Sequence, residues 1–550
     1  MSIADTGAAL EAFRGALGPE AVLTDEGSLH ACEQTNFETT QRVLAILRPT
    51  STEEVAACVR IAQRHAVPVY PISRGKNWGL GSKVPVRSNS VVIDLGGMDR
   101  ILEYDETYGY LVVQPGVSFH QAAAYLQERN SPHYVSVIGG SGEGSLIGNL
   151  LERGDGSGHY AERADFACAL EVVLPDGRVI TTGFGDFTES KVKHLCKWGV
   201  GPGLDGLFLQ SSLGIVTRMT VWLSPIPEHF EMFLLATERD EDLGLVVDGL
   251  RELQLRRVLL SPFYLLNDYK HLANITQYPW KEAGDRTPLP AEVLEGYKKR
   301  LGFSRWNGMA AIYAEDPAIL RGVRRQVKKH LGAADRLVFL NDRKVRWAAR
   351  LAPILRLVGQ DPTPILELWK RNPLLGRPYD RTVRSVYWRK RTPPPDHPDP
   401  DRDGCGIYWN CVVVPLAGHE CLRACNLICD TILEHGFEPN LAAMLSSGYG
   451  RSIRVFVMMT YDRSIEGADA AARRCHEELF DRLEEQGYSH NRLDISTMGR
   501  MPHRPETRAL YRRLKDSLDP AGVMSPGRYE ESDLSFTAAE VPRRERSAIR

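Results

Sequence analysis

Residues 71–81, PISRGKNWGLG, decide how this chain is read. Upstream of them, Leu44 to Leu47 is a short apolar strand and Pro49 to Thr52 is a run of breakers and cap residues. Glu53 to His65 then places Val55, Ala56, Val59, Ile61 and Ala62 at helical spacing. Val67 to Ile72 is extended and proline-bounded, so the loop closes a strand–helix–strand unit. It carries Gly75, Gly79 and Gly81, with Ser73, Arg74, Lys76 and Asn77 among them. Glycines let backbone amides approach an anion, successive N–H groups in such a turn form a concave anion site, and the cations add charge. A pyrophosphate is the ligand this chemistry fits. The loop is neither GxxxxGK[ST] nor GxGxxG, and a glycine-rich basic loop on its own is more often a plain turn.

Further along, Val91 to Leu95, Ile101 to Tyr104 and Tyr110 to Gln114 read as strands, and Phe119 to Gln127 as a helix. Residues 139–158, GGSGEGSLIGNLLERGDGSG, hold eight glycines. They are backbone wrapped close to something, because the apolar Leu146, Ile147, Leu150 and Leu151 within them do not suit a free surface loop. Residues 168–182 form a hairpin turning at Asp176-Gly177. Residues 204–224 read as a helix, a break at Gly214 and a strand, and 22–42 as a connector. Pro225 and Pro227 mark a boundary, beyond which longer strands and helices alternate. Within that part, 391–404, RTPPPDHPDPDRDG, is either an ordered lid or a disordered loop. A basic amphipathic helix at 505–518 and a return at 523–528 precede a loose, charged tail.

A chain of 550 residues has room for two or more domains. Its net charge of −2 gives no electrostatic case for nucleic acid or an anionic membrane. No apolar run approaches the ~20 residues of a membrane span, and the N-terminus lacks a basic and then apolar leader. Cys421, Cys425 and Cys429 share a helix face without histidine partners, which reads as packing rather than a metal site. Reduced thiols in the cytoplasm, and no metal, are the expectation.

In their order and spacing, the two glycine-rich stretches resemble the vanillyl-alcohol oxidase/p-cresol methylhydroxylase family of FAD enzymes. PISRGKNWGLG is similar to the family's pyrophosphate loop, VVIDLGGMDRILEYDETYGYLVVQPGVSF to the strands that follow, and IGNLLERGDG to its flavin-facing loop. EVVLPDGRVITTGFG, WGVGPGLDGLFLQSSLGIVT and LGFSRWNGMAAIY continue the likeness, and SLDPAGVMSPGRY resembles the C-terminal return. The implied fold is α+β: a two-part PCMH-type FAD-binding domain, 1–226 with a return at 488–530, and a tail at 531–550. A cap (substrate) domain built on an antiparallel sheet is inserted at 227–487. The implied FAD site comprises Ser73, Arg74, Gly75, Lys76, Asn77, Trp78 and Gly79, then Pro115, Gly116, Gly139, Gly140, Ser145, Gly148, Asn149 and Glu152. Ile215 and Val216 flank the adenine side, and Arg528 comes from the return.

The implied chemistry takes hydride from a substrate carbon (CH–OH, CH–NH or activated CH–CH) to flavin N5. Glu152 stands where phenol-oxidising members have an aspartate, and is the candidate acid/base or charge-stabilising group; Arg492 matches their arginine. Leu80 and Asn491 replace two phenol-binding tyrosines. Counted back from Pro415, Asn410 falls at the histidine that bonds covalently to FAD in oxidase members. An amide is a poor nucleophile, so FAD is expected to be non-covalent unless Tyr408 takes that part, and the substrate to be non-phenolic or a larger biosynthetic intermediate. A second reading keeps 4-alkylphenols or 4-hydroxybenzyl alcohols, with the phenolate site rebuilt from Tyr387 and Arg389 or from Tyr408. A third is a non-catalytic flavin-fold binding module. Glu152 and Arg492 also read as structural charges. The expected partner is a small molecule, with oxygen or another electron acceptor and the oligomeric state left open.

Overall fold

The computed structural model describes residues 3–357, 362–444 and 450–530; the tail expected to be loose lies outside the described residues. Three larger sheets and a two-stranded ribbon, His133–Tyr134 with Ser224–Pro225, organise them. In the first, Val22–Leu23, Val43–Leu47, Ser90–Asp94 and Val69–Ile72 lie side by side, and the last three strands are parallel. The helix Thr52–His65 packs on it through Val55, Ala56, Cys58, Val59 and Ala62. Its start is fixed by Ser51, whose Oγ accepts from the Glu54 amide at 3.2 Å, a cap worth about 1 kcal/mol. The pyrophosphate-type loop leaves the C-terminal end of Val69–Ile72, where a parallel sheet opens its crevice.

The second sheet is antiparallel, with Ile101–Asp105, Tyr110–Val113, Ile215–Trp222, Ala167–Val173 and Val179–Thr181 in that order. The third has eight antiparallel strands: Arg336–Leu340, His229–Thr237, Trp306–Ala314, Tyr264–Asn267, Asn440–Met444, Ser452–Asp462, Cys405–Pro415 and Ser489–Arg492. Helices Asp240–Leu255, Pro317–His330, Gly418–Glu434 and Ala468–Glu485 cover one face, making the largest core. Strand alternation divides the residues between faces. Ile453, Val455 and Val457 turn toward the helices, whereas Arg454, Phe456 and Met458 turn away from them. Cys421, Cys425 and Cys429 are buried in that core, and no metal-binding cluster occurs among the described residues. No helix among them is long and apolar enough to cross a membrane.

Several expectations need correction. Residues 22–42 hold a strand and a helix, Glu26–Glu33, capped by Asp25. The helix expected near 204 is only the 3-10 turn Asp205–Phe208, because Gly203, Gly206 and Gly214 leave too little helix-forming sequence. The large sheet extends past residue 487, since Ser489–Arg492 is its edge strand; the return joins the first sheet further on, where the Val69 amide donates to Val523 O at 2.8 Å. Of the two alternatives left open for 391–404, the structure takes the ordered one, as a strap. Lys76 Nζ lies 2.9 Å from Asp399, Ser82 Oγ donates to Asp401 at 2.8 Å, and Tyr387 Oη donates to Asp403 at 2.6 Å.

Candidate active site

The glycine loop presents its donors outward. The amides of Arg74, Gly75, Lys76, Asn77 and Trp78 donate to no acceptor among the described residues, while the Gly79 amide is anchored on Asn36 Oδ1 at 3.0 Å. Gly79 has φ of 76°, and a Cβ there would sit 2.8 Å from Trp409 Cβ and 3.1 Å from the Trp409 amide. Only glycine meets both demands. Arg74 ties the two glycine-rich stretches together, reaching Gly116 O at 3.2 Å and the Glu143 carboxylate at 2.6 Å. Ser145 Oγ donates to Pro115 O at 2.6 Å and accepts from the Gly148 amide at 2.8 Å. The short helix Leu146–Leu151 runs inward from there, burying three of the leucines and isoleucines that set this stretch apart. A cavity of about 340 Å³ beside the loop is lined by Arg48, Ser73, Arg74, Lys83 and Asp94.

This arrangement fits a dinucleotide. Free amides and cations suit a diphosphate, and buried Trp78 Nε1 and Asn149 Oδ1 lack partners among the described residues, as polar groups facing a ligand do. Asp401, in the strap behind the loop, is pushed up to about 7 by burial, with Lys83 and Lys76 nearby pulling it the other way. Gly139 is exposed and accepts from Thr382 at 2.6 Å; Gly140 is exposed as well. Ile215 and Val216 sit mid-sheet with their side chains in two apolar cores.

A second cluster closes the inner end. Glu152 caps the short helix and is buried, with Oε1 paired to Arg528 and Oε2 accepting from Tyr529 Oη at 2.8 Å. Arg528 also reaches Tyr70 Oη at 3.0 Å. Gln210 Nε2 donates to Asn491 O at 2.6 Å and lies 3.4 Å from Tyr529 Oη, bringing the edge strand against this corner. Arg492 Nη2 donates to Asn77 Oδ1 at 2.8 Å. Its Nε is buried without a partner, and no carboxylate pairs with it among the described residues. Glu152 and Arg492, 340 positions apart in sequence, thus meet at one corner of the loop. Leu80 is buried beside them, its carbonyl accepting from the Ile495 amide. A cleft of about 1320 Å³ reaches this corner from solvent past Arg153, Gln210, Asn491 and Tyr529.

Other candidates lie elsewhere. Tyr408 stacks on Phe37 at 4.9 Å and on His476 at 4.4 Å in the helix-side core. Asn410 has the same strand parity, is buried, and faces the helices too. Asn410 is therefore on the face of the strand turned away from the loop, where it does not meet the cofactor seam. Ile407, Trp409 and Cys411 face the loop side. Arg389 is a buried structural ion pair with Glu438 at 2.6 Å. Tyr387 packs near Trp78 and Trp409, but its hydroxyl is committed to Asp403, which with burial raises it above the ordinary phenol range.

The sequence reading passed over Asp155, Arg454, Arg163, Gln210 and Tyr529. Asp155 pairs with Arg454, and Arg163 donates to Asp155 O at 2.7 Å while burial pushes its guanidinium down to about 9. Arg454 had a visible signal, a charge alternating with valines in an apolar strand. Gln210 had none.

A family model for an FAD binding domain matches residues 43–183. The 1'-carboxy-chondrochloren decarboxylase of Chondromyces crocatus is 41% identical over 525 residues, 95% of this chain and 97% of that one. The 4-cresol dehydrogenase [hydroxylating] flavoprotein subunit of Pseudomonas putida is 28% identical over 94% of both chains. A crystal structure of p-cresol methylhydroxylase with substrate bound superposes with a TM-score of 0.86 and 26% identity, over 96% of this chain and 97% of that one.

Proposed function

The chain belongs to the vanillyl-alcohol oxidase/p-cresol methylhydroxylase family of FAD-dependent oxidoreductases, and from that premise we propose that it oxidises an organic acid held under the eight-stranded sheet. When bound, FAD supplies the two-electron acceptor. Its diphosphate is assigned to the amides of 74–78, Arg74 and Lys76, and its flavin end to the seam between Asn149–Glu152 and the strand Cys405–Pro415. One observation carries the substrate reading: the half-buried Arg492 guanidinium has no carboxylate partner among the described residues and is held on Asn77, at the loop itself. A preorganised cation there holds a substrate oxygen in its deprotonated form, the electron-rich state from which hydride is lost. Glu152 acts as a positioning residue, since both its oxygens already hold Arg528 and Tyr529. Tyr529 and Gln210 keep the edge strand, and with it Arg492, against the loop.

The name of the Chondromyces crocatus relative describes a decarboxylase of a carboxylated compound, which supports an acid substrate. Against a simple 4-alkylphenol, Leu80 and Asn491 offer no phenolic hydroxyl, Tyr408 faces the helices and Tyr387 is engaged. Anaerobic stopped-flow with vanillyl alcohol, 4-cresol and eugenol decides between the two. Slow flavin reduction by all three is expected. Fast reduction by any of them, unaffected by Arg492→Ala, contradicts the proposal.

A further inference from the structure

The helix Asp268–Ile275 starts on Asn267, whose Oδ1 accepts from the Lys270 amide at 3.0 Å, and this first turn sends Lys270 across the sheet. Its Nζ donates to Ser385 Oγ at 2.9 Å and lies 3.8 Å from Met458 Sδ. Met458 is on the loop-facing side of the sheet, packed with Trp78, Trp409 and Tyr387. Lys270 is only 8% exposed, and no carboxylate pairs with it among the described residues. Two more polar atoms on that face are orphans among the described residues: Oδ1 of Asn440, directly opposite Met458, and Oγ1 of Thr460, two residues beyond it. A buried amine with one good acceptor, next to unpartnered oxygens, is a site waiting for a polar group.

The surrounding charges are already used. Asp268 is held by Arg305 at 2.7 Å and Glu438 by Arg389 at 2.6 Å. Lys298 of the neighbouring helix pairs with Glu295, Arg384 is exposed, and burial holds His271 neutral, down to about 4. Burial alone pushes Lys270 down to about 7. Met458 pairs across from Trp409, and Arg492 across from Cys411. Two strand spacings and two residues separate the backbones of Met458 and Arg492, roughly 12 Å.

We propose that Lys270 and the Thr460 hydroxyl form a second subsite in the cap wall, both donating to the carboxylate of the substrate, whose reacting end lies at Arg492, while Ser385 Oγ and Asn440 Oδ1 accept from the ammonium. This rests on the oxidoreductase reading above and names the acid's position. At a pH above the midpoint of Lys270, binding adds one proton from solvent to Nζ, so that amine, proton and carboxylate become an ammonium–carboxylate pair. Buried lysines titrate readily in this way, and arginines do not.

The test uses holoenzyme and two probes, 4-hydroxyphenylacetate and its neutral amide, followed by titration calorimetry at about pH 8 in two buffers of different ionisation enthalpy. The acid is expected to bind at least about tenfold more tightly than the amide, with about one proton taken up per molecule bound. Lys270→Met should remove both the preference and the uptake, while Lys270→Arg should keep the preference without the uptake. The arginine variant is decisive if the methionine variant folds poorly. A wild type with neither preference nor uptake, or variants that match the wild type in both, overturns the proposal. Failure of the oxidoreductase reading would show separately, as protein without flavin absorbance.

Discussion

Arg492 is the residue on which the substrate reading turns, and its removal should be felt in catalysis more than in stability. It is half-buried and, among the described residues, makes one side-chain hydrogen bond, to Asn77. Arg492→Ala should therefore lower kcat/KM by about 10²–10³-fold, the cost of one preorganised donor, with little change in Tm; steady-state kinetics on the identified substrate checks it. Asp401 gives a stability prediction. In the unfolded chain it ionises near its ordinary value of 3.8, whereas burial delays ionisation to about 7 in the fold. The native state thus holds the extra proton between those limits, and stability falls as pH rises through them. Asp401→Asn keeps the acceptor for Ser82 and removes that penalty, so its unfolding free energy should be close to wild type near pH ~4 and exceed it near pH ~8 by up to about 4 kcal/mol, with a higher Tm there. An equal Tm difference at both pH values contradicts the assignment. At this scale the 74–77 donors were legible in the residues themselves, whereas Glu152 and Arg492 were singled out only through the family resemblance, and their roles are proposals. The facing of Tyr408 and Asn410 was not legible, because one residue of strand register decides it.

At the scale of elements, the loop and the strand Cys405–Pro415 form one device. Gly79→Val must accommodate a side chain against Trp409 at a positive φ. It should abolish FAD retention while leaving the circular dichroism of the eight-stranded sheet native. The facing of that strand bears on covalent attachment. Ile407 and Trp409 carry no nucleophile, and burial pushes the Cys411 thiol up to about 11, so little thiolate is present at neutral pH. Acid precipitation should release the flavin into the supernatant; a yellow pellet would show a link. The 391–404 strap was legible only as proline and acid. Its order comes from Lys76, Ser82 and Tyr387, partners that composition does not reveal. The helix Thr52–His65 was legible to within a residue because its cap and its apolar stripe agree.

Across the whole molecule, the loop leaves the first sheet and packs against the strand Cys405–Pro415 of the eight-stranded one, and the corner of Glu152, Arg492 and Tyr529 is assembled from distant parts of the chain. The α+β architecture was legible through the family resemblance, while the residues themselves showed the glycine-rich stretches and a change of pattern at the proline boundary at 225–227. The eighth strand was not legible, since Ser489–Arg492 is short, polar and defined only by its pairing with Cys411–Val413. The central claim is that this seam binds FAD and delivers electrons to it. The visible absorbance spectrum of purified protein, recorded anaerobically before and after dithionite and compared with that of Gly79→Val, tests it most directly. The account predicts flavin bands that bleach in the wild type and a folded, colourless variant. A natively folded wild type that neither carries nor takes up FAD, or a Gly79→Val protein that retains it at wild-type affinity, would contradict it.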